Sequence, residues 1–132
     1  MSEWTQMAGV ISFDSRGSET SLEQLEFDIN DEARPYGSEG PMHFSIGCTG
    51  RWDTLVFTGN LRDFSEEEIE KYLIPYFGHI IQILKYSQNH ARDGIISMWS
   101  SRTKPIILIY DQSVGNWLVS NDAFPKFWEN QP

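Results

Sequence analysis

A chain of 132 residues with a formal net charge of −9 is one domain by size, long enough to bury a core without disulfides or metal. That charge repels phosphate backbones and anionic lipid, and the ten Lys and Arg are scattered, Arg102 and Lys104 being the closest grouping, so neither direct nucleic-acid binding nor membrane-surface binding is expected. The single cysteine, Cys48, excludes an internal disulfide framework and fits a reducing, intracellular setting, and no run of roughly 18 apolar residues offers a membrane span.

In chain order, the opening Met-Ser-Glu-Trp-Thr-Gln lacks a basic segment followed by an apolar run, so no export signal is expected. Residues 7–13 read as a first strand with Ile11 and Phe13 on one face. Residues 19–29 fit a short helix through Leu22, Leu25 and Ile29, capped by Ser18 or Thr20, although the Phe27-Asp-Ile29 alternation also fits a strand; the helix is preferred. Residues 30–40 contain Arg34-Pro35 and many turn formers, and read as a loop. Met42, Phe44 and Ile46 alternate with polar or small residues, and residues 54–58 form a second run, so the two predict an antiparallel hairpin.

Residues 59–63 (Gly-Asn-Leu-Arg-Asp) read as a turn, after which Ser65 and Glu68 form a capping box with Phe64 and Ile69 as its hydrophobic staple. The long helix that follows places Ile69, Tyr72, Leu73, Tyr76, Phe77, Ile80, Ile83 and Leu84 on one face. Pro75 interrupts it and predicts a kink or two abutting helical pieces, because proline lacks an N–H and crowds the preceding turn. Strands are expected at 95–99 and 105–110, residues 117–119 could add a last short one, and Phe124, Phe127 and Trp128 are expected to fasten the tail to the core. The fold expected is α+β: one antiparallel sheet of four to five strands, covered on one face by one long and one short helix, in a ferredoxin-like split βαβ arrangement.

In that topology the loop 36–41, the turn 59–63 and the turn 100–104 meet at one end of the sheet, beside the start of the long helix. Ser38, Glu39, Arg62, Asp63 and Arg102 then form a polar cluster, with Glu66, Glu67 and Glu70 beside it. The functional reading is a recognition surface. The structural one is a salt bridge from Glu39 to Arg62 tying the hairpin ends, with the acids favouring the helix dipole, and it is the commoner arrangement.

Trp4 ahead of Gly9-Val-Ile-Ser-Phe-Asp14, then Gly37-Ser-Glu-Gly-Pro41, then Gly59-Asn-Leu-Arg-Asp63 resembles a group of small conserved bacteriophage proteins. These carry a similar glycine-serine-glutamate-glycine segment and a later glycine-acid-or-amide-leucine-arginine-aspartate turn. The resemblance spans roughly residues 4–120 and brings no activity with it. It implies a phage or prophage origin and expression in the bacterial cytoplasm.

No catalytic or cofactor-binding set is visible. His43, His79 and His90 lack metal-ligand spacing, Cys48 has no evident histidine partner, and Gly37-Ser-Glu-Gly40 is not followed by the Gly-Lys of a phosphate loop. Most aromatics are expected in the core, with Trp52, Trp99 or Trp117 as the ones that could anchor a protein interface. The function expected is therefore protein binding, an acidic surface engaging a basic host or viral protein, as an inhibitor of a defence or nucleic-acid-handling enzyme would. The alternatives are a small-ligand or nucleotide-binding domain and a virion or assembly component.

Overall fold

The computed structural model describes residues 4–32, 42–48, 51–62, 66–100 and 105–120. Along them run β1 (Trp4–Asp14), α1 (Leu22–Glu32), β2 (His43–Cys48), β3 (Asp53–Arg62), α2 (Glu66–Glu68), a π-helical segment (Ile69–Leu73), α3 (Ile74–Tyr86), β4 (His90–Trp99), β5 (Ile106–Asp111) and β6 (Asn116–Ser120). The strands form one antiparallel sheet in the order β2-β3-β1-β4-β5-β6.

The α+β class stands, but the ferredoxin-like sheet of four to five strands is overturned: the described residues form six. The last two form a hairpin beyond β4, turning through Gly115 at φ 75°, with Gly115 N–H donating to Asp111 O at 2.8 Å. The physical reason is Trp117. Its ring is 5 % exposed, and its indole N–H donates to Phe77 O on α3 at 3.1 Å, so β6 is tied into the core rather than trailing from it.

β1 shows why the sheet has a single covered face. Thr5, Met7, Gly9, Ile11 and Phe13 are buried in strict alternation along it, and Met7, Ile11 and Phe13 join Leu25, Ile29, Phe77 and Ile80 of the helices in one cluster. Under the sheet an aromatic line runs from Phe44 to Phe57 (4.9 Å between centroids), on to Phe77 (5.7 Å), Trp117 (6.4 Å) and Tyr110 (5.5 Å). Such contacts add to plain area burial.

The expected turn at residues 59–63 is corrected over its first four positions. Gly59 to Arg62 continue β3, paired with Met7 to Trp4, and Leu61 is buried. Gly59 marks close packing rather than a bend, since a Cβ there would lie 2.8 Å from the Met42 side chain.

α1 is a helix as preferred, running to Glu32, and its cap is Ser21 rather than Ser18 or Thr20: Gln24 N–H donates to Ser21 Oγ at 3.1 Å. The long helix buries Ile69, Leu73, Phe77, Ile80, Ile83 and Leu84 as its periodicity requires, and Ile81 as well. Ahead of Pro75 lies the π-helical segment, in which Ile74 N–H bonds Ile69 O, five residues back. A proline cannot donate and its ring collides with the carbonyl four residues earlier; a wider turn just before it relieves both. The capping box rests on Ser65, which lies outside the described residues, as do Phe124, Phe127 and Trp128.

Candidate binding face

The expected polar cluster cannot be assembled from the described residues. Ser38, Glu39, Asp63 and Arg102 lie outside them, as does the side chain of Glu66. Arg62 is exposed at the end of β3 opposite Trp4, and Glu67 and Glu70 are exposed on the long helix.

What the topology does bring together is a row of apolar side chains on the sheet face turned away from the helices. Register places Val56 beside Val10, Val10 beside Ile95, Ile95 beside Ile109, and Ile109 beside Leu118. These residues cross β3, β1, β4, β5 and β6 in one line, each between 38 and 49 per cent exposed. Cross-strand neighbours sit about 5 Å apart, so the row is continuous. Among the described residues nothing covers it. Ala8, Thr58, Ser97 and Ile107 flank it on one side, and toward that end Trp4 and Trp99 are each 39 % exposed. Ser12, Thr54, Asp93 and Asp111 flank it on the other.

The sheet's two edges differ. On β2 the Asn30 side chain of α1 plays the part of a neighbouring strand: Phe44 N–H donates to its Oδ1 at 3.0 Å and its Nδ2 donates to Phe44 O at 2.9 Å. Ile46 N–H donates to Glu26 Oε1 at 2.9 Å, so this edge is closed to further pairing. On β6, Leu118 and Val119 are exposed.

Charge is divided as sharply as polarity. α1 carries five acids and no base (Glu23, Glu26, Asp28, Asp31 and Glu32), and Phe27 stands among them 63 % exposed, beside a shallow groove shared with His43. Three of the ten bases gather elsewhere. At the end of the sheet where β1 finishes, the guanidinium carbons of Arg92, Arg51 and Arg16 lie 4.0, 5.0 and 5.6 Å from the centroid of Trp52. The expectation of scattered cations is corrected by this cluster, which three positions far apart in sequence could not reveal. A β-bulge builds it: the β1–β4 register shifts at Ser12/Phe13. Ala91 is buried and a Cβ on Gly94 would meet Trp117 and Ile11, so both turn to the core and leave Arg92 and Asp93 on the helix-free side.

Arg16 is held by Asp14 through a two-pronged pair, Nε to Oδ1 at 3.0 Å and Nη2 to Oδ2 at 2.8 Å. The Arg16 side-chain bonds, with help from its backbone N–H, lower the Asp14 pKa from the usual 3.8 to about 2. A depressed carboxyl contributes stability that is fully present above its unfolded value and is lost as pH falls toward 2. In Arg16→Gln, the Asp14 carboxyl is expected to titrate most of the way back toward 3.8, which a carbon-detected NMR titration reads directly. An unchanged midpoint would assign the shift to the backbone alone.

The Asp53 carboxylate beside Cys48 pushes its thiol up, away from the thiolate a nucleophile needs. Among the described residues no group of three or more His, Cys, Asp or Glu could hold a metal, and no helix is long and apolar enough to cross a membrane. Of the tryptophans singled out in the sequence, Trp99 lies on the open face, Trp52 lies under the arginines and Trp117 is buried.

The arrangement defines an α+β domain with one uncovered apolar sheet face. Comparison with family models, with characterised proteins and with solved structures finds no match to this chain.

Proposed function

We propose that this chain acts by binding another protein, which docks on the helix-free face of its sheet. The observation that carries this reading is the row Val56, Val10, Ile95, Ile109 and Leu118. Contiguous apolar patches on a protein surface commonly mark interaction sites, and covering half-exposed Val, Ile and Leu side chains is worth about 1 kcal/mol each. Trp4 and Trp99 near one end have the character of interface anchors.

The partner this surface suits is a basic protein. A net charge of −9 raises the encounter rate with a positively charged molecule, and Asp93 and Asp111 flank the row on one side. The narrower reading, an inhibitor of a host defence or nucleic-acid-handling protein, draws its support from that charge and from the phage-type motifs.

A pull-down from bacterial lysate at stepped ionic strength, with wild type and Ile95→Lys in parallel, tests the proposal. Ile95 is 49 % exposed, so the variant should keep its circular dichroism and melting temperature. A basic protein held by wild type at low salt and lost at least ten-fold by Ile95→Lys is the expected result. Equal retention by both forms removes the face from consideration.

A further inference from the structure

We propose that the arginine cluster on Trp52 is a binding site for a phosphate group carried by a small molecule, bridged by Arg51 and Arg92. This goes beyond the docking of a protein and rests on a different part of the molecule.

The argument begins with how unusual the cluster is in this chain. Only ten residues are basic against nineteen acidic, yet three of the ten converge on one indole ring. Arg16 is spoken for, since its guanidinium is locked to Asp14. Arg51 and Arg92 have no carboxylate within 4.0 Å among the described residues. Arg92 is also half-buried, and the carboxylate its charge acts on, Asp14, is already held by the Arg16 fork.

The nearby acids do not complete it. Asp14 is engaged by Arg16, and Asp53 accepts the Ser15 hydroxyl. Asp93, adjacent to Arg92 in the chain, is exposed and stands opposite Asp111 across the β4–β5 ladder.

The geometry fits a compact oxyanion. The guanidinium carbons of Arg51 and Arg92 lie 5.0 and 4.0 Å from one ring centroid, so two cations without a carboxylate partner within salt-bridge distance share one place in the fold. Planar guanidinium forks match phosphate oxygens two at a time, and stacking on Trp52 fixes their direction before a ligand arrives. The bulge that re-aims Arg92 is a device often found beside binding sites. A long polyanion is disfavoured by the −9 field, whereas a small phosphorylated molecule contacts only the local cluster. Inorganic pyrophosphate and a nucleotide share the relevant terminal phosphate.

The test is tryptophan fluorescence of the full chain titrated with inorganic pyrophosphate, with ADP, and with sodium chloride at matched ionic strength. The expected result is a saturable change with pyrophosphate, absent with chloride and absent in Trp52→Phe. Arg51→Gln and Arg92→Gln should each weaken it at least ten-fold, while Arg62→Gln leaves it unchanged. Tighter binding of ADP than of pyrophosphate identifies a nucleotide as the source of the phosphate, and the reverse identifies an inorganic one. No saturable change, an equal response to chloride, or an equal loss in Arg62→Gln overturns the proposal. Each of these results leaves the pull-down with Ile95→Lys untouched, so the two readings fail separately.

Discussion

Phe57→Ala is expected to destabilise the fold by about 3–5 kcal/mol, a large share of the roughly 5–15 kcal/mol that holds a domain of this size together. Phe57 is 1 % exposed in the middle of the aromatic line, with Phe44 and Phe77 on either side. Its ring also occupies the space a side chain would take on Gly9, directly opposite on β1: a Cβ there would stand 2.3 Å from the ring's Cζ. Gly9→Ala should therefore cost about 1–3 kcal/mol through overpacking. The two effects share one cause, which a double-mutant cycle by urea denaturation can expose. In the Phe57→Ala background the Gly9→Ala penalty should vanish or reverse, because the added methyl then enters the cavity. If the penalty is the same in both backgrounds, ring contact is not its origin.

Asn30→Leu is the second large effect. It keeps the helix and the side-chain bulk but strips Phe44 of both its partners, the donor to its carbonyl and the acceptor for its N–H. Leaving two such groups without partners at a half-buried edge should cost about 2–4 kcal/mol. Asn30→Asp separates geometry from polarity: one carboxylate oxygen can still accept from Phe44 N–H, while the other faces the Phe44 carbonyl with no proton to give. It should destabilise nearly as much as leucine. The leucine variant should also self-associate at concentrations where wild type does not, since an unprotected edge strand invites another to pair with it. Denaturation midpoints and light scattering report the two consequences independently; wild-type behaviour in both would mean that Asn30 is incidental to the edge.

Much of the fold was legible because its signals are local. The 3.6-residue recurrence from Ile69 to Leu84 and the alternation through Met42, Phe44 and Ile46 each report one element's buried face, and both faces are buried in the structure except at Tyr72, which is exposed, and at Ile46 and Tyr76, which are partly buried. The turn at 59–63 was misread because glycine and asparagine mark bends only when the chain is free to bend; here Met7 and Met42 fill the space that Gly59 vacates.

The exposed apolar row was legible only in fragments. Val10, Val56, Ile95, Ile109 and Leu118 are unremarkable singly and become a row only when five strands are set in register. The arginine cluster was hidden more deeply still, because it depends on one extra residue in β4, and a bulge leaves no mark in hydrophobic periodicity. Most of the polar cluster expected near Arg62 lies in segments outside the described residues.

A sheet that is apolar on both sides has a weakness that a one-sided sheet lacks. Sliding β3 by one residue against β1 would normally expel its core residues into water, and that penalty keeps strands aligned. Here Val56 would enter the core as Leu55 and Phe57 left for a face already greasy, so hydrophobicity alone discriminates poorly between the correct alignment and a shifted one. Shape must then supply what polarity does not. Gly9 leaves a notch that the Phe57 ring fills, and any slip, by one residue or two, sets the ring against a side chain and takes it out of the notch. The ring and the glycine thus work as tooth and slot, and a sheet apolar on both faces keeps its alignment because this pair stops the strands from sliding.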